Sequence, residues 1–122
     1  MRRLTVALAL FIFGALTTAQ AADSDRFFKK YPQAQKGIEE FCARSVHLDH
    51  IDYKNEVARQ RKAFLKIAKH VEKGLTADQT EKLEWSLLRW SWQYGNSRLD
   101  SGLPVDWTMV LFEFRRHTGL KD

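Results

Sequence analysis

Two histidines and a cysteine hold the sharpest chemistry in this chain. His47-Leu48-Asp49-His50 places two imidazoles three residues apart, and Cys42 lies five residues before the first. Imidazoles at that spacing share a helix face, and neutral imidazole with thiolate suits zinc or copper. The pattern is local and incomplete, since His70 or His117 must supply a further ligand. A helix terminus uses the same residue types for hydrogen bonding alone. Cys42 is the only cysteine. An odd cysteine reads as a buried thiol, a bridge to a second copy in a homodimer, or a metal ligand. No nucleophile elbow, phosphate loop or His-Glu-x-x-His string is present, so the chain reads as a binding protein without a catalytic residue.

Aromatics are the second candidate. Trp85, Trp90, Trp92, Tyr94 and Trp107 crowd into the C-terminal half. Large aromatic rings serve cores and binding hot spots alike. Trp90, Trp92 and Tyr94 lie just before a loop carrying Arg98 and Asp100. These five residues form the candidate partner-binding surface. A third feature is the row Arg59, Lys62, Lys66, Lys69 and Lys73, which reads as a solvated helix face or as a surface for an anionic partner.

The start of the chain bounds where such chemistry operates. Met1-Arg2-Arg3 is basic, Leu4 to Leu16 is apolar, and Ala19-Gln20-Ala21 offers small residues for cleavage. These are the three parts of a secretory signal in order. The apolar run is shorter than the roughly 20 residues a spanning helix needs. The expectation is a signal peptide over 1–21 and a single exported domain over 22–122, in the bacterial periplasm, with no integral membrane segment. Arg2 and Arg3 leave with the signal, so 20 basic against 15 acidic residues become 18 against 15, and the charge falls from +5 to +3. So mild a balance argues against nucleic acid as a ligand.

The elements that must position these residues read as helices. Apolar residues recur at steps of three and four, and no stretch alternates for long. Ser24 reads as the cap of a first segment, Asp25 to Tyr31, and Pro32 suits the first turn of the next helix. Phe27, Tyr31, Ala34, Ile38 and Phe41 share one face. Asp52 reads as the cap of a helix with an apolar stripe through Tyr53, Val57, Phe64, Ile67, Ala68 and Val71, closed by Gly74. Thr76-Ala77-Asp78-Gln79 fits a capping box. The helix it opens runs to Gly95 and carries two stripes, Leu83/Leu87/Trp90/Tyr94 and Trp85/Leu88/Trp92. A helix apolar on two faces belongs at the centre of a bundle. Asn96 to Val105 is a loop, Asp106 caps the last helix, and Gly119 ends it. The fold class expected is all-α, a small antiparallel bundle of about four helices.

Leu75-Thr76-Ala77-Asp78-Gln79 is similar to the Leu-Thr-x-x-Gln motif of small helical periplasmic stress proteins. That family usually carries the motif twice and this chain carries it once. A leucine before a capping box yields the same string, so no membership or site is drawn from it. The function expected is non-catalytic binding to a periplasmic or envelope protein, as an inhibitor, immunity or accessory factor, with no cofactor. The alternative is a metal- or envelope-stress-responsive binder holding Zn or Cu through Cys42, His47 and His50.

Overall fold

The computed structural model describes residues 21–45, 50–92 and 98–121, with side chains at all of these except 45, 50 and 51. The chain divides into two compact units, Met1–Lys30 and Tyr31–Asp122. The expected signal peptide lies outside the described residues apart from Ala21.

In the first unit residues 21–30 are helical (α1). Ser24 therefore lies inside a helical stretch and does not open one. Arg26 pairs with Asp23 one turn earlier at 3.6 Å and stacks 4.3 Å from the Phe27 ring centroid.

In the second unit four helices follow: α2 (Pro32–Ser45), α3 (His50–Lys73), α4 (Ala77–Trp90) and α5 (Trp107–Thr118). The chain is all-α, and its one extended feature among the described residues is an isolated bridge between Ser91 and Val105. Pro32 opens α2, where its missing N–H costs nothing. Asp52 falls in the first turn of α3 and not before it, so it meets the helix dipole as an acidic first-turn residue. Gly74 adopts φ +99°, a conformation L side chains rarely take, and stops α3. The capping box forms as expected: the Gln79 N–H donates to Thr76 Oγ1 at 3.1 Å, and the Thr76 N–H donates to Gln79 Oε1 at 3.0 Å.

Two features of α4 differ from expectation. It ends at Trp90, before Gly95, because the chain turns extended at Ser91 to pair with the returning loop. The Trp92 N–H donates to the Pro104 carbonyl at 3.1 Å, and the Asp106 N–H donates to the Trp90 carbonyl at 3.0 Å. The other difference is position. α5 packs against both α3 and α4, and α2 packs on α3. The central helix is thus α5, wedged between α3 and α4, and α4 packs against α5 alone among the described helices of this unit. A tight turn joins α3 to α4, yet both helices pack on α5, and Val71 of α3 lines a shared pocket with Leu83 and Leu87 of α4.

The core follows from that order. Phe64, Ile67, Leu87, Val110, Trp107 and Phe114 are buried together with Ile38 and Cys42 of α2. The Phe64 ring meets Trp107 edge-on at 4.9 Å and Tyr31 at 5.8 Å. Such pairs add roughly 0.5–1.5 kcal/mol beyond burial. Val105 and Val110, on either side of the Asp106 cap, are both fully buried. Asp106 accepts from the Met109 N–H at 3.3 Å and from Thr108 Oγ1 at 2.7 Å.

One buried polar side chain joins the layers. Gln60 on α3 is fully buried. Its amide nitrogen donates to Glu56 Oε1 and Asp106 Oδ1, each at 3.0 Å, and its oxygen accepts the Trp107 N–H at 2.6 Å. The first turn of α5 is thereby anchored to α3 by an amide whose donors and acceptor are engaged.

Candidate partner-binding surface

The loop that returns from α4 to α5 is built onto α2. Asp100 Oδ1 accepts the Gln33 N–H at 2.7 Å, across 67 residues of sequence. A carboxylate at a helix N-terminus satisfies an otherwise orphaned donor and meets the positive end of the helix dipole. Leu103 approaches so closely that a Cβ on Gly37 would sit 2.5 Å from its carbonyl oxygen. That contact explains a glycine in mid-helix, which the sequence pattern alone left unassigned. Asp100 is therefore engaged in holding the loop, while Arg98 is exposed nearby in sequence.

The four tryptophans divide. Trp107 is buried in the core. Trp90 is half-buried, and its indole N–H donates to Glu113 Oε2 of α5 at 2.5 Å. Glu113 also meets Arg89 Nε at 3.7 Å and His117 Nε2 at 4.0 Å. Trp90 thus ties α4 to α5. Trp92 is 48 % exposed and Trp85 is 63 % exposed. Trp92 is held on two sides: Phe41 stands edge-on at 6.2 Å, and the Arg44 guanidinium lies 5.6 Å from its ring centroid. A ring held on two sides has less rotational freedom than one standing alone in solvent. Tyr94 lies outside the described residues.

Trp85 and Leu88 come from the second stripe of α4. Because α5 takes the centre, no described helix of this unit packs on α4 from the Trp85 and Leu88 side. Trp85 stands in solvent and Leu88 is half-buried. Phe112 on α5 is also 60 % exposed, a position the sequence reading did not single out. It follows Leu111 in an apolar run, and only the rotation of α5 against α3 and α4 decides that it faces outward.

Of the three residues proposed for a metal, only Cys42 has a described side chain. Cys42 is buried and reduced. Burial pushes its thiol up to about 11, with the negative charges of Glu56, Asp106 and Glu39 adding to the effect. A metal ligand or nucleophile needs the thiolate, and this environment favours the neutral form. A disulfide to a second copy needs the sulfur at the surface, and Cys42 is only 1 % exposed. His47 and the His50 side chain lie outside the described residues, and among the described residues no three His, Cys, Asp or Glu groups converge on a metal position. His70 lies 14 positions after Glu56 on α3, roughly 20 Å along the axis at 1.5 Å per residue. It is therefore remote from the end of α3 whose charge acts on Cys42.

The thiol has a measurable consequence. A group whose folded pKa is raised contributes stability that is complete below its unfolded value and is lost as pH climbs through the folded one. For Cys42 that window runs from about 9 to about 11. Native protein should alkylate with iodoacetamide far more slowly at pH 8 than protein in denaturant. The fall in stability between pH 9 and 11 should be shallower in Cys42→Ala.

No described helix is long and apolar enough to cross a membrane. Comparison with family models, with curated proteins and with solved structures finds no match to this chain in any of the three.

Proposed function

We propose that this chain is exported, cleaved after Ala21, and works as a small antiparallel helical bundle that binds a protein of the periplasm or envelope. The observation that carries the reading is the exposure of Trp85 and Trp92, two of the four tryptophans. Exposing indole to water forgoes burial energy of about 25 cal/mol per Å² of apolar surface. Tryptophan and arginine are also the residue types richest in binding hot spots. Trp92 stands beside Arg44, and Trp85 lies one turn before Arg89 on α4. The Arg44 guanidinium beside Trp92 supplies a cation to orient a partner, whereas Arg89 is paired with Glu113. An inhibitor, immunity or accessory role fits such a surface, and the three differ only in the partner.

Cell fractionation tests the export half. The chain should be recovered from the periplasmic fraction with a mass beginning at Ala22; a full-length cytoplasmic product would refute it. The binding half rests on co-purification from the envelope fraction. Trp85→Ala combined with Trp92→Ala should lose the partner while keeping the circular-dichroism spectrum. Undiminished recovery of the same partner by that double variant would count against the aromatic surface.

A further inference from the structure

We infer that the cleft between α3 and α4 binds a small molecule with an apolar body and a protonated amine. The helix packing makes this cleft. Residues 74–76 tie the end of α3 to the start of α4, while both helices pack on α5. The space left between them has a volume of about 280 Å³. Three separate parts of the chain wall it. Val71 of α3, Leu75 of the turn and Leu99 of the returning loop each line it and are half-buried. Leu83 and Leu87 of α4 are its buried lining. Thr80 and Glu84, one turn apart on α4, line it from exposed positions.

Size and lining set the body of the ligand. Sites for drug-sized molecules hold about 300–1,000 Å³ and combine apolar walls with a few polar groups. This cleft has that chemistry at the lower edge of that range, so it suits a short hydrocarbon chain or a single ring. Such a group would cover apolar side chains that now stand half in water. Glu84 sets the head group. It is the one charged residue among the described lining residues, and no described residue pairs with its carboxylate. A carboxylate accepts hydrogen bonds and donates none, so it favours an ammonium and repels a second carboxylate. The Thr80 hydroxyl, one turn before it, offers a further acceptor to the same head group. The cleft does not draw on Trp85 or Trp92, and either site can fail without the other.

Three probes of one chain length test the site: hexylamine, hexanol and hexanoate. The readout is a methyl NMR titration of the purified protein with labelled leucine and valine. Hexylamine should shift the methyls of Val71, Leu75, Leu83, Leu87 and Leu99 saturably and leave those of Val57 and Leu103 in place. It should bind more tightly than hexanol, and hexanoate should bind least tightly. Added salt should weaken hexylamine and not hexanol. Glu84→Gln, at an exposed position, should weaken hexylamine roughly threefold, the scale of one exposed ion pair, and leave hexanol unchanged. Equal affinity for the three probes would mean adventitious apolar binding only and would overturn the site. The absence of saturable shifts, shifts that spread to Val57 and Leu103, or hexylamine binding unaltered by Glu84→Gln would overturn it as well.

Discussion

Replacing Gln60 by alanine should destabilise the protein by roughly 2–4 kcal/mol, the largest effect of any single polar side chain described. Two costs combine. The fully buried side chain leaves a cavity. The buried Trp107 N–H, which donates to the amide oxygen at 2.6 Å, loses its partner, and the half-buried Asp106 carboxylate loses one of its donors while keeping Thr108 and the Met109 N–H. An unsatisfied buried group costs about 1–3 kcal/mol by itself. Since domains of this size hold only about 5–15 kcal/mol in total, the urea midpoint should fall sharply at an unchanged slope. Gln60→Glu separates volume from charge. It keeps the shape but brings a third carboxyl beside Glu56 and Asp106. Its defect should exceed that of Gln60→Leu at pH 7 and narrow as the pH is lowered and the carboxyls protonate. Equal defects for Leu and Glu across pH would show that packing alone matters at this position.

Gly37→Ala should be destabilising although alanine is the better helix former. Propensity favours alanine by about 1 kcal/mol at an unconstrained helix position. Here the added methyl would meet the Leu103 carbonyl oxygen at 2.5 Å and the Gly102 carbonyl carbon at 3.3 Å. Both are backbone atoms, so the loop from Leu99 to Val105 has to lift from α2. Overpacking of this kind typically costs 1–3 kcal/mol, and the lifted loop also loses the Asp100 contact to the Gln33 N–H. A net loss of about 1–2 kcal/mol in thermal or urea unfolding is expected. In a double-mutant cycle Gly37→Ala and Asp100→Ala should be less than additive, because both act by releasing the same loop. Additive losses would indicate two unrelated contacts.

These two positions show where sequence reading stopped. Helix starts and stops were legible wherever the signal is local. Pro32, Gly74, the Thr76–Gln79 box, Asp106 and Gly119 all mark boundaries through their own backbone chemistry. Gln60 was legible in principle. It falls between Val57 and Phe64 on the apolar stripe of α3, and a polar residue at such a place demands partners. Those partners, Asp106 and Trp107, lie more than forty residues away, and no periodicity points to them. The central helix was not legible. α4 has two apolar stripes and looks suited to the middle, but the short α3–α4 turn and the Ser91–Val105 bridge direct α5 into that place.

The same displacement reshapes the candidate surface. Of the sequence candidates, Trp92 is exposed beside Arg44, Trp90 is tied to Glu113, and Asp100 holds the loop to α2. Trp85 and Phe112 are outward-facing because of which faces α5 and its neighbours consume. That choice is a property of packing, not of either helix alone.

The most direct test is photo-crosslinking inside cells that produce the chain. A benzophenone-bearing phenylalanine is placed at Trp85 or Trp92 and, as controls, at the exposed α3 positions Lys54 and Lys62. The aromatic surface predicts one discrete adduct of the same partner from Trp85, Trp92 or both, and none from the control positions. Adducts of equal intensity from all four positions, or none from either tryptophan position, would contradict it.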